Sequence, residues 1–204
     1  SRSAAEDTAR RLERDAVYLP YSYDISEIHS LLETAAKRFG ATLPDCDMYE
    51  KKIENKARQL KDALKGMRVA VDCSATPRPL SLARFLLTHD IDVFAVYLDA
   101  VDRADEADFY FLKEHYPRLS LRSTMHYKRR LLPRDEVQRH GPVLAVGQKA
   151  AYFTGTKHFV NLIENSGLYG YTGLLKLMDM MILAVGTEQD VQSLIQIKAW
   201  GCRA

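Results

Sequence analysis

The stretch Met67 to Asp99, "MRVAVDCSATPRPLSLARFLLTHDIDVFAVYLD", sets two short apolar runs on either side of a proline-marked loop and a helical segment. "MRVAVDC" and "IDVFAVYLD" are apolar at consecutive positions rather than alternate ones, the pattern of strands covered on both faces. Between them "SATPRPLSLARFLLTHD" reads as a loop opening a helix near Pro79, where proline suits the first helical turn. Strand, loop, helix, strand calls for parallel pairing, because parallel neighbours need a crossover that an antiparallel hairpin does not.

The same alternation continues downstream. "DEADFYFLKEHY" is a helix, "LSLRSTM" a weaker strand, "PRDEVQRHG" a short helix beginning at Pro133, and "PVLAVGQ" a further strand, followed by a short one around "HFVNLI". The expected fold class is α/β, a Rossmann-like three-layer parallel sheet with flanking helices. Helical segments stand on both sides of it. "DISEIHSLLETAAKRFG" has Asp24 as N-cap, Glu27 completing a capping box, an apolar face of Ile28, Leu31, Leu32, Ala35 and Phe39, and Gly40 as its stop. Asp45 to Leu64 places Tyr49, Ile53, Ala57, Leu60 and Leu64 on one stripe. "AAEDTARRLERDA" is a charged helix that leads into an extended "VYLPYSY" broken by Pro20. "YTGLLKLMDMMILAV" and "TEQDVQSLIQIKAWG" are helices separated by Gly186, the first apolar nearly all round, with its methionines read as core filler. The expected organisation is an N-terminal helical segment over residues 1–66 leading from a missing upstream domain, a Rossmann-like domain over 67–186, and a C-terminal helix over 187–204.

Composition narrows the function classes. The 29 basic and 27 acidic residues leave a net charge of +2, too little excess for a diffuse nucleic-acid or anionic-membrane binder. No apolar run approaches a membrane span and the start lacks a signal-peptide core, so a cytoplasmic location is expected. Cys46, Cys73 and Cys202 are widely spaced with no CxxC pair, which fits reduced thiols and argues against a metal site built from cysteine alone. The chain opens on "SRS" without methionine, and a piece of a longer protein is expected.

In an open parallel sheet, ligands lie outside the carboxyl ends of the strands. Three loops qualify: "CSATPRP" at 73–79, "GQKAAY" at 147–152, and the stretch after "HFVNLI", which runs into "ENSGLYGYTG". The first lacks GxGxxG, which disfavours a dinucleotide site. Arg78 there is a candidate grip for a carboxylate or phosphate. In the second loop Gly147 allows close backbone approach, and Lys149 stands at the mouth of the sheet. His158 and Asn161 are on the last short strand, where alternation places them on different faces. The glycines at 167, 170 and 173 let a helix start lie against another backbone.

Together, the runs "KGMRVAVDCSATPRPLSLARFLLTHDIDVFAVYLD", "PVLAVGQKAAY" and "HFVNLIENSGLYGYTGLLKLMDMMI" resemble the third domain of nitrogenase component 1 type proteins. That family comprises the molybdenum-iron protein subunits, cofactor-assembly scaffolds, and the protochlorophyllide and chlorophyllide reductases. The resemblance runs from about Val17 onward. It implies a domain that lines a metal-cluster or tetrapyrrole pocket for low-potential electron transfer, inactive by itself. It implies upstream domains of the same chain, a paired component 1 type subunit and an ATP-dependent iron-sulfur reductase as partners, with neither nucleic acid nor membrane. The cofactor implied is an iron-sulfur or related metal cluster in the full-length protein, with none bound by this piece alone.

Carried over residue by residue, the resemblance assigns cofactor contacts to Ser74, Arg78, Gly147, Lys149, Asn161 and Glu164, and a metal-ligand role to His158. Asn161 falls at or within a residue of the place where the catalytic relative has a molybdenum-ligating histidine. Asparagine there is closer to the assembly scaffolds, so the alternative implied is a non-catalytic scaffold or carrier for a metal cofactor.

Overall fold

Five short strands, β1 (Arg68–Asp72), β2 (Val93–Leu98), β3 (Ser120–Ser123), β4 (Val143–Val146) and β5 (Phe159–Val160), form one parallel sheet in the order β3-β2-β1-β4-β5. The computed structural model describes residues 2–43, 45–130, 139 and 141–190. The chain runs outward from β1 through β2 to β3, then returns to the other side of β1 for β4 and β5. The order therefore reverses between β1 and β4, the place at the carboxyl ends where open α/β sheets receive their ligands. The α/β Rossmann-like class expected from the strand runs is what the sheet displays.

Both faces are packed, the second mixing Phe94, Tyr97 and Phe159 with small alanines. Val69, Val71, Val96, Leu144 and Val146 point to one face, where they join α3 (Cys46–Leu64), α4 (Pro79–Thr88), α5 (Glu106–His115) and α8 (Gly170–Val185) in the main core. Ala70, Ala95 and Ala145 point to the other face, where their small side chains admit Ala150 and Ala151 of the short α7 (Gln148–Thr154). Ile53 and Leu60 of α3 and Leu177 and Met178 of α8 are fully buried. Each such side chain contributes about 1.5–3 kcal/mol through burial. The helix stripe read from Ile53, Ala57, Leu60 and Leu64 is the buried face of α3. The nearly all-apolar α8 buries Leu174, Leu177, Met178 and Met181, while Leu183 stands 70% exposed.

α2 (Ile25–Phe39) starts at Asp24, whose carboxylate accepts from Glu27 N, and ends at Gly40 in the left-handed region. Glu27 does not reach back to the Asp24 N–H as a capping box would. The Ser22 hydroxyl donates to Glu27 and accepts from Asp24 N, relaying the contact. Of the apolar face expected on this helix only Ile28 is buried, and Phe39 is 72% exposed. α1 (Arg2–Arg11) and residues 14–23, which are neither helix nor strand, precede it, and α6 (Tyr127–Arg130) follows β3. The helix expected at Pro133 and most of the helix expected over 187–204 lie outside the described residues. Residues 187–190 are not helical: Gln189 N donates to Lys157 O, and its side-chain amide donates to Phe159 O, beside β5. Among the described residues no helix is long and apolar enough to cross a membrane.

Candidate functional site

Four of the five strands bring a residue of the candidate site to the carboxyl edge of the sheet. β1 ends in Asp72, β2 is followed by Asp99, β3 by Thr124 and β4 by Gly147. Asp72 is fully buried, and its carboxylate is enclosed by four donors: Ser74 N at 2.7 Å, Ser74 Oγ, Ala75 N at 3.0 Å and Ala150 N at 2.6 Å. An open Rossmann-type switch point offers such backbone N–H groups to a phosphate. In this chain an internal carboxylate fills that place, consistent with the missing glycine fingerprint. Burial pushes the Asp72 carboxyl above its ordinary range, against the hydrogen bonds that pull it down. Gly147 has φ +108 and ψ 160, a conformation essentially confined to glycine, and lies against this carboxylate.

Lys149, in the first turn of α7, reaches across the sheet mouth. Its Nζ is 2.9 Å from Asp99 Oδ2, 3.3 Å from Thr124 Oγ1 and 3.7 Å from Cys73 Sγ. Cys73 Sγ is also 3.7 Å from Asp99 Oδ2, and the Thr124 hydroxyl donates to Asp99. Burial lowers the Lys149 pKa, but the Asp99 hydrogen bond, the Cys73 sulfur and the Asp99 charge outweigh it and leave the ammonium above its ordinary value. Burial raises the Cys73 thiol, with Lys149 opposing, so Cys73 is a protonated thiol near neutral pH.

The third loop closes on the first. After β5, Glu164, Asn165, Ser166 and Gly167 have φ of 45, 61, 44 and 78°, a left-handed turn of four residues. Each non-glycine residue in that region costs about 1–2 kcal/mol. Docking offsets the cost: Glu164 N donates to Ser74 O at 2.8 Å and Asn165 N to Ala75 O at 2.7 Å. The buried Asn165 side chain accepts from the Tyr23 hydroxyl at 2.6 Å and donates to Leu168 O at 2.9 Å. The Tyr23 hydroxyl also sits 2.8 Å from Thr76 Oγ1, and burial pushes its pKa up to about 12. Gly173 then lets α8 start against Leu168, whose carbonyl carbon a Cβ would approach to 2.6 Å.

The residues singled out from the sequence divide accordingly. Ser74, Gly147 and Glu164 meet around the Asp72 carboxylate and the β1 loop, and Lys149 joins Cys73 on the same edge. Asn161 is exposed, and its Oδ1 accepts from Gln148 Nε2 at 2.7 Å. Arg78 is turned inward at 8% exposure, its guanidinium donating to Asp105 at 2.7 Å, Asp108 at 2.9 Å and Tyr21 O at 3.1 Å. That ion-pair cluster occupies it with structural work. His158 Nδ1 lies 3.1 Å from Ala184 O, at the far end of α8 from the glycine turn. Asp72, Asp99, Thr124, Tyr23 and Asn165 are the residues that sequence reading passed over. An acid closing each of the runs "VAVD" and "VYLD" is the signal that pointed to the first two.

No family model and no curated protein matches the sequence. Among solved structures, a chain titled "Nitrogenase Cp1 at pH 6.5" matches over 100% of this chain with a TM-score of 0.60 at 13% sequence identity. The present chain spans 45% of the length of that one. In fold, the chain resembles a domain of nitrogenase component 1.

Proposed function

We propose that this chain forms one wall of a cofactor pocket in a nitrogenase-like oxidoreductase subunit that works at low potential in the cytoplasm. The observation that carries the reading is the convergence of three loops at the switch point, with Ser74, Gly147, Lys149 and Glu164 on the edge where open parallel sheets receive ligands. The likeness to the nitrogenase chain across the whole length supports it.

A metal centre ligated by this chain alone does not fit. Among the described residues no group of three or more His, Cys, Asp and Glu side chains is placed to hold a metal ion. Cys73 has Lys149 and Asp99 as neighbours rather than further ligands, and His158 is engaged at Ala184. The ligands of an iron-sulfur or related cluster therefore belong to upstream domains or to a paired subunit, with electrons arriving from an ATP-dependent iron-sulfur reductase. This chain's residues have the supporting tasks. Lys149, aimed by Asp99 and Thr124, sets the charge at the mouth. The Asp72 clasp fixes the β1 and β4 loops relative to each other, the left-handed turn presents Glu164 at the exposed rim, and Asn161 is exposed directly after β5.

The test is anaerobic purification of the full-length protein, with iron, sulfur and molybdenum analysis and an electron paramagnetic resonance spectrum. Stoichiometric metal and a cluster signal are expected, with turnover when the reductase and a low-potential donor are added. Metal without turnover would assign the chain to a cofactor-assembly scaffold instead. A metal-free, silent sample after cluster reconstitution would overturn the pocket reading.

A further inference from the structure

The Lys149 ammonium and the Cys73 thiol are neighbours at 3.7 Å, both partly exposed, on adjoining loops at the sheet mouth. Asp99 touches both, at 2.9 Å from Nζ and 3.7 Å from Sγ, and Thr124 holds the carboxylate in place. Two nucleophilic heteroatoms at this separation, with a carboxylate between them to take a proton, can be joined by a single oxygen atom with little backbone movement. Among the described residues Cys73 has no disulfide partner in reach. The other described cysteine is Cys46, buried on α3, where the Tyr171 phenol is its neighbour.

From this geometry we infer that Cys73 and Lys149 are a reversible oxidation site, closing under dioxygen into a sulfur–oxygen–nitrogen bridge. Lys149 first gives its ammonium proton to Asp99. The Cys73 S–H bond and one Lys149 N–H bond then break, and S–O and O–N bonds form. Sulfur and nitrogen each lose two electrons, and the four reduce one dioxygen molecule. One of its oxygen atoms enters the bridge and the other leaves as water with the two released hydrogens. Two equivalents of a dithiol reductant supply the four electrons that reverse the change, restoring the thiol and the amine and releasing the bridging oxygen as water. Cysteine oxidation requires access of the oxidant to sulfur, and Cys73 is partly exposed where Cys46 is buried.

The bridge has an electrostatic consequence. It turns the Lys149 cation into a neutral hydroxylamine-type nitrogen and strips Asp99 of the ion pair it makes at 2.9 Å. Once Asp99 has passed the proton it took on to solvent, the mouth changes from a balanced pair to a net negative charge, so oxidation weakens its hold on anionic ligands. Bridge formation needs only the two side chains and stands whether or not the pocket reading holds. A failure of one leaves the other intact, because the readout is covalent mass rather than metal content.

The experiment exposes the full chain to air-saturated buffer and measures its intact mass, its thiol titre and its crosslinked tryptic peptides, before and after dithiothreitol. Expected is a gain of one oxygen atom less two hydrogens, carried by a peptide pair joining Cys73 to Lys149, with one thiol lost and then recovered on reduction. Cys73→Ser and Lys149→Arg should each abolish the linked pair, and Cys46→Ala should leave it unchanged. The inference is overturned if Cys73 stays a free thiol, or if it takes up oxygen as sulfenic or sulfinic acid with Lys149 unmodified. It is equally overturned if the linked pair survives in Lys149→Arg.

Discussion

Gly147 and Asp72 approach so closely that a Cβ on the glycine would stand 2.4 Å from the carboxyl carbon and from both carboxylate oxygens. The two residues end adjacent parallel strands, and their fit joins the β1 and β4 loops at the switch point. Gly147→Ala meets both a backbone conformation that only glycine adopts readily and a buried carboxylate with no room to move. Strain of about 1–3 kcal/mol adds to overpacking of similar size. Urea denaturation should show a loss of about 3 kcal/mol or more, and a change under 1 kcal/mol would contradict the described geometry.

Asp72 also makes stability depend on pH. With its carboxyl raised by burial, the native state retains a proton that the unfolded chain has already released. The corresponding stability is full below the ordinary carboxylate pKa and is lost as pH rises through the raised value. Unfolding free energy should therefore fall across that window in the natural protein and fall less in Asp72→Asn, which cannot titrate. The variant should also start lower, by about 1–3 kcal/mol, because its amide sets a donor against the N–H of Ala150 or Ser74.

The sheet was legible because β1, β2 and β4 are unbroken apolar runs, and residues such as Val71, Val96 and Val146 have nowhere to go but a covered sheet. Loop positions were legible for the same reason, since a loop after a buried strand of a parallel sheet is at the mouth. What the side chains do there was not. Arg78 reads in sequence as a loop cation, and its fate depends on Asp105 and Asp108, 27 and 30 residues away. The role of Asn165 rests on Tyr23, 142 residues distant, and nothing local to "IENSG" announces three successive non-glycine residues with positive φ. The face of α2 misled in the opposite direction. Periodicity marks Phe39 as apolar-side, but no described element covers it.

Tyr23→Phe isolates one hydroxyl that holds two mouth loops together. The variant keeps the ring and removes the oxygen that lies between Thr76 and Asn165, leaving a buried amide oxygen without its donor. The expected cost is about 1–3 kcal/mol in chemical denaturation. Amide hydrogen exchange should rise first at Glu164 and Asn165, whose N–H groups bond to the β1 loop. Uniform acceleration across the sheet, with no excess at these two amides, would argue against a local clasp.

Arg78→Ala should damage the fold more than any single change at the mouth surface. Arg78 joins Asp105 and Asp108, whose side chains are each 5% exposed, and truncation leaves those carboxylates with an uncompensated burial. Breaking a buried pair from one side costs about 3–5 kcal/mol. Arg84 retains one contact to Asp108 at 3.1 Å, which limits the loss at that carboxylate. A thermal midpoint unchanged from the natural protein would show that the guanidinium is not held as described.

Lys149→Met separates a structural lysine from a pocket lysine. The Lys149–Asp99 pair has side-chain exposures of 38% and 41%, and ion pairs so open to water contribute about 0–1 kcal/mol. Unfolding of the variant should therefore stay within that margin of the natural protein. Metal content of the anaerobically purified full-length variant should nevertheless fall several-fold, with partial recovery in Lys149→Arg, which restores the charge without the ammonium's shape. Equal metal content in all three forms would remove Lys149 from the pocket wall. A large stability loss would instead make it a structural lysine, because an exposed pair has little folding energy to lose.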